Sequence, residues 1–83
     1  MLSIDRIEAA AQRLGFSLTK GTTELRQQTC LEGEIETNRG RMYFYCISEG
    51  ARIEKPNGSV KYYYGPTDGQ FVRVLRQTIE ANS

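Results

Sequence analysis

The stretch LEGEIETNRGRMYFYCI, Leu31 to Ile47, decides the fold. Leu31, Gly33 and Ile35 alternate with Glu32, Glu34 and Glu36; Met42, Phe44 and Cys46 alternate with Tyr43, Tyr45 and Ile47. A period of two marks strands with one buried face. Asn38-Arg39-Gly40 between them is turn chemistry, so the segment reads as an antiparallel hairpin. A two-residue turn at Arg39-Gly40 gathers Leu31, Ile35, Met42, Phe44 and Cys46 on one face, with Ile35 beside Phe44 and Cys46 roughly opposite Gly33. A three-residue loop shifts the pairing by one and turns every side chain over, so the apolar set selects the shorter loop. The outer face then shows the glutamates, Tyr43 and Tyr45.

Downstream, Ser48-Glu49-Gly50 reads as a bend, and Ala51 to Lys55 with Ser59 to Tyr64 as a second hairpin. Pro56 and Asn57 suit the central positions of its turn, and Gly58 the left-handed position after them. Ile53, Val60 and Tyr62 are assigned to the inner face, and Arg52, Lys61 and Tyr63 to the outer. Upstream, Phe16 and Leu18 begin a short strand, Lys20-Gly21-Thr22 reads as a turn, and Thr23 to Thr29 as a polar edge strand holding Leu25.

A helix is expected at each end. Residues 3–14 carry Ile4, Ile7, Ala11 and Leu14 at helical spacing, with Ser3 as N-cap, Asp5 in the first turn and Gly15 at the C-terminal cap. Residues 68–81 follow Gly65-Pro66. There Thr67 and Gln70 form a capping box, Pro66 and Phe71 a staple, and Phe71, Val74 or Leu75, and Ile79 a buried stripe. Arg73, Arg76 and Gln77 face solvent. The expected fold class is α+β: a two-layer sandwich of N-terminal helix, three- to four-stranded antiparallel sheet and C-terminal helix, in one small domain over residues 1–83. Both helices pack on one sheet face and leave the other open. This helix–strands–helix order resembles the double-stranded RNA-binding domain in topology. Where that family has a lysine-rich start to its second helix, this chain has Asp68-Gly69-Gln70-Phe71.

Composition narrows the function. In 83 residues there are 11 Lys and Arg against 10 Asp and Glu, a net charge of +1, which argues against the strong basic field of a duplex-binding protein. There is no histidine, so the commonest general base and metal ligand are both missing. Cys30 and Cys46 are read as free thiols, because same-face diagonal neighbours stand about 7–8 Å apart, too far to bridge. The glycines form no phosphate loop, and Glu32, Glu34 and Glu36 stand in a row rather than converging on a cation. Cys30 and Cys46 have no histidine to activate them, and a Ser or Thr nucleophile would have only lysine or carboxylate help. An enzyme is not expected, nor any catalytic residue, metal or cofactor. No stretch approaches a membrane span, and a cytoplasmic location is expected.

What stands out is the open face. All 5 tyrosines lie between Tyr43 and Tyr64, and exposed aromatics commonly mark an interface. The expected partner-binding set is Tyr43, Tyr45 and Tyr63 with Arg41, Arg52 and Lys61, since tyrosine and arginine concentrate binding energy. The function expected is a small protein-binding module acting as an adaptor, assembly factor or inhibitor. Single-stranded nucleic acid stacked on the same rings is the alternative. A homodimer through the tyrosine face or the Thr23–Thr29 edge is a third expectation.

Overall fold

In the computed structural model, which describes residues 1–83, Ser3 does cap the first helix, α1 (Ile4–Leu14). Its hydroxyl accepts from the Arg6 amide, and Gly15 ends the helix in the left-handed region at φ 101°. Phe16 N–H bonds back to Ala11 C=O at 3.1 Å, which turns the chain towards the sheet. Ile7 and Ala11 are fully buried on the inward stripe.

Five strands follow: β1 (Ser17–Thr22), β2 (Thr29–Thr37), β3 (Gly40–Ile47), β4 (Gly50–Glu54) and β5 (Val60–Tyr64). They form one antiparallel meander in the order β1-β2-β3-β4-β5. The fold is α+β, with five strands rather than three or four. The extra strand comes from the N-terminal region. The short strand expected from Phe16 and Leu18 is the edge strand, but it extends through Lys20-Gly21-Thr22, the expected turn, and residues 23–28, expected as the edge strand, form a loop. Thr23 closes that loop: its N–H bonds to Gln28 C=O at 2.8 Å and its hydroxyl accepts from the Gln28 amide at 3.1 Å. Leu25, at the loop tip, is 99% exposed.

The first hairpin keeps the expected faces but slides by one residue in each strand. Thr37 pairs with Gly40, so Asn38-Arg39 is the two-residue loop, Ile35 faces Met42, and Gly33 faces Phe44. Cys46 accordingly stands opposite Leu31, and Cys30, one residue earlier, points to the other side of the sheet. Both thiols are free.

The second hairpin corrects the face assignment. Gly58 adopts φ 89°, and Lys55 N–H bonds to Ser59 C=O at 2.8 Å across a three-residue loop. Ile53 therefore pairs with Lys61, and Ala51 with Tyr63. Lys61 and Tyr63 lie on the helix side, while Val60, Tyr62 and Tyr64 lie on the open side.

The last helix, α2 (Asp68–Ala81), begins with the capping box intact. Thr67 accepts from the Gln70 amide at 3.2 Å, and the Gln70 side chain accepts from the Thr67 amide at 3.0 Å. Replacing Thr67 by Ala should cost about 1 kcal/mol in urea denaturation, with the slope against denaturant unchanged. Phe71 and Leu75 are fully buried. Phe71 meets Phe44 edge-on at 5.7 Å between centroids and Tyr63 at 6.3 Å, and Phe16 meets Phe44 at 5.0 Å. The two helix N-termini are tied together where Ser3 N–H bonds to Asp68 Oδ1 at 2.7 Å. All the helical cover is thus on one face of the sheet. No helix is long and apolar enough to cross a membrane.

Candidate functional site: the open face of the sheet

Strand alternation builds the open face from rungs that run across the sheet. Thr19, Glu32, Tyr45, Arg52 and Tyr62 share one rung, and Ser17, Glu34, Tyr43, Glu54 and Val60 the next. Ile47, Gly50 and Tyr64 share a third, and Glu36 and Arg41 end the face at the first turn. Four tyrosines therefore stand on one side of one sheet. Their exposure grows towards β5: Tyr43 is 38% exposed, Tyr62 58% and Tyr64 86%.

The structure brings together Tyr43, Tyr45, Arg41 and Arg52 of the expected set. It separates Lys61 and Tyr63 from them, because the three-residue loop turns β5 over. Tyr63 packs under α2 against Phe71, and the Lys61 ammonium lies 5.6 Å from the Tyr63 ring. In their place the face gains Tyr62, Tyr64 and Glu54. The signal that could have found them is the turn itself: Pro-Asn-Gly with a left-handed glycine implies a three-residue loop, and the loop fixes the face.

Charges on this face are partly spoken for. Arg41 is held by Glu36 at 3.1 Å and Glu34 at 3.9 Å. Its guanidinium is pushed further up by those contacts, Glu36 first. The Arg52 guanidinium lies over the Tyr45 ring, 5.0 Å from the centroid, a cation–π contact. Glu32 and Glu54 have no cationic partner within ion-pair distance. Glu32, Glu34, Glu36 and Glu54 thus outnumber Arg41 and Arg52, and the face is acidic although the chain is not.

Between Tyr43 and Tyr45 lies an open depression of about 280 Å³, rimmed by Glu32, Glu34, Glu54 and Arg52. No group of three or more carboxylate or thiol side chains is placed to hold a metal ion. The Tyr45 phenol is pushed up, chiefly by burial and then by the neighbouring Cys30 thiol, against the pull of Arg52. These groups supply rings, acceptors and charge for contact.

Beneath the face, Cys46 is buried in the core, and its thiol is pushed up from 9.0 to about 12, first by burial and then by Cys30. The folded chain keeps a proton that the unfolded chain releases. Stability should therefore be full below pH 9 and fall as the pH rises towards 12. Burial also raises Tyr63, which steepens the same limb. Chemical denaturation across this range should show the decline, and Cys46→Ala should flatten it.

The fold and site together define a small α+β domain with a five-stranded meander, helices on one side and an acidic, tyrosine-rich sheet face on the other. No protein-family model matches the chain, and comparisons with curated proteins and with solved structures found no match.

Proposed function

We propose that the chain is a non-enzymatic protein-binding module and that the open sheet face is its binding surface. The observation that carries this reading is the arrangement of Tyr43, Tyr45, Tyr62 and Tyr64 on one uncovered face, with Arg52 among them. Aromatic rings with polar tips give large contact area at low entropic cost, and they dominate the energetics of protein interfaces. The surplus of carboxylates favours a partner whose contacting surface is basic, since complementary charge steers encounter and excludes wrong partners. The same surplus repels a phosphate backbone and counts against single-stranded nucleic acid on these rings.

The test is affinity capture from a lysate of the chain's own cells, in parallel arms with and without nuclease. The wild type should retain a protein in both arms. The double variant Tyr43→Ala/Arg52→Ala should lose it while keeping a wild-type circular dichroism spectrum. Nucleic acid recovered only without nuclease, and released steeply by salt, would replace this reading with the alternative.

A further inference from the structure

The sheet has two edges, and they are built differently. Along β5 the bonds at either end set the ladder. Lys55 N–H bonds to Ser59 C=O at 2.8 Å, and Gly65 N–H bonds to Glu49 C=O at 2.9 Å. Antiparallel strands alternate between residues that bond their neighbour and residues that point away. Lys61 and Tyr63 therefore bond β4, and the main-chain N–H and C=O of Val60, Tyr62 and Tyr64 point out into solvent. These are also the residues whose side chains stand exposed on the open face. One strand thus presents a free hydrogen-bonding edge and an apolar surface at the same positions. It lacks the usual protection of an edge strand: it has no proline, no bulge and a single charge, Lys61.

The other edge is different. In β1 the side chains are Ser17, Leu18, Thr19, Lys20 and Thr22 around Gly21, with little apolar area. The Lys20 ammonium is drawn to α1 by Glu8 at 2.9 Å and Asp5 at 3.3 Å.

We infer that β5 pairs with β5 of a second copy of this chain, antiparallel about a two-fold axis at Tyr62, joining the two sheets into one. The sequence of the strand is self-complementary in this register. Tyr62 meets Tyr62 of the second copy, and Val60 meets its Tyr64 in both senses, each pair exchanging N–H···O bonds. Ring against ring and ring against β-branched side chain are favourable cross-strand pairs. On the helix side Lys61 meets Tyr63 of the second copy, extending the contact it already makes with its own Tyr63. A register centred on Lys61 would set the two ammonium groups against each other, and like charges directly opposite are destabilising. The Tyr62 register therefore closes as a symmetric, isologous contact. It also brings the Tyr45–Arg52–Tyr62 rungs of both copies end to end, so the open face doubles in width.

The inference does not rest on the binding role of Tyr43 and Arg52, and its test avoids them. Sedimentation equilibrium from about 10 μM to about 1 mM should show the mass rising towards twice that of the monomer. Tyr62→Pro removes only an outward N–H, which an edge strand tolerates. It should leave the circular dichroism spectrum unchanged and abolish the mass increase. In a Cys30→Ser background with oxidised glutathione, Tyr62→Cys should form a disulfide-linked dimer, because directly opposed hydrogen-bonded residues stand about 5.5 Å apart. Lys61→Cys should cross-link far more slowly. If Tyr62→Pro does not fold, the two cysteine variants decide. A mass that stays monomeric throughout, a folded Tyr62→Pro that dimerises like the wild type, or Lys61→Cys cross-linking as fast as Tyr62→Cys would overturn the inference.

Discussion

Replacing Gly33 by alanine should destabilise the chain by about 3 kcal/mol and lower its Tm by more than about 12 °C, a large fraction of a small domain's stability. A Cβ built at Gly33 falls 2.2 Å from Phe44 Cε2, 2.7 Å from Cζ and 2.9 Å from Cδ2. The ring occupies the position that any side chain would take. It has nowhere to retreat, because Phe16 meets it edge-on at 5.0 Å and Phe71 at 5.7 Å. Gly33 is thus required by a close approach and not by its backbone angle, since its φ is not in the left-handed region. The double variant Gly33→Ala/Phe44→Leu frees the space and should cost clearly less than the sum of the single changes. Urea denaturation of all three variants measures this. A single Gly33→Ala change within about 0.5 kcal/mol of the wild type would show that the ring is free to move.

Phe71→Ala should have the larger effect still. Phe71 is fully buried and bridges the layers, touching Phe44 from the sheet centre and Tyr63 from β5. Truncating a buried phenylalanine costs about 3–5 kcal/mol, and the two lost edge-to-face contacts place Phe71 at the upper end of that range. That approaches the whole stability expected of a domain this size. The variant should lose its near-ultraviolet circular dichroism at room temperature, and Phe71→Leu should retain it. Loss of the same signal in both would place the requirement on the aromatic contacts and not on filled volume.

Both predictions concern a core that was largely readable in the residues. The two helices carried their signals locally: Ser3 and Gly15 bound α1, and Thr67 with Gln70 opens α2. The first hairpin was readable because its two faces differ sharply, Leu31, Met42, Phe44 and Cys46 against a row of glutamates. Even a shifted turn kept those faces, since the strands slid by one residue each. The second hairpin was not readable in the same way. Lys61, Tyr62, Tyr63 and Tyr64 are all amphipathic, and Val60 alone favours the interior. There the turn decides, and the three-residue loop at Pro56-Asn57-Gly58 outweighs the pull of Val60 towards the interior.

The N-terminal edge was half readable: the strand that Phe16 and Leu18 begin is β1, but it runs on through the expected Lys20-Gly21-Thr22 turn, and the Thr23–Thr29 strand does not form. Leu25 is the one aliphatic side chain between Leu18 and Leu31, and it suggested a strand around itself. It sits at a loop tip closed by Thr23 and Gln28. The strand lies earlier, where Lys20 on the helix side is matched to Asp5 and Glu8 of α1, a long-range pairing with no local signature. For the candidate site the outcome is mixed. Tyr43, Tyr45, Arg41 and Arg52 were placed by the period of two, whereas Tyr62 and Tyr64 depended on reading Pro56-Asn57-Gly58 as a three-residue loop.

The most direct test of the binding face uses a photo-crosslinking phenylalanine analogue, placed at Tyr43 on the open face and, separately, at Arg76 on the solvent side of α2. Irradiation in the chain's own cell lysate should give one discrete protein adduct from position 43 and none from position 76. An adduct from position 76 with none from position 43 would contradict the open sheet face as the binding surface.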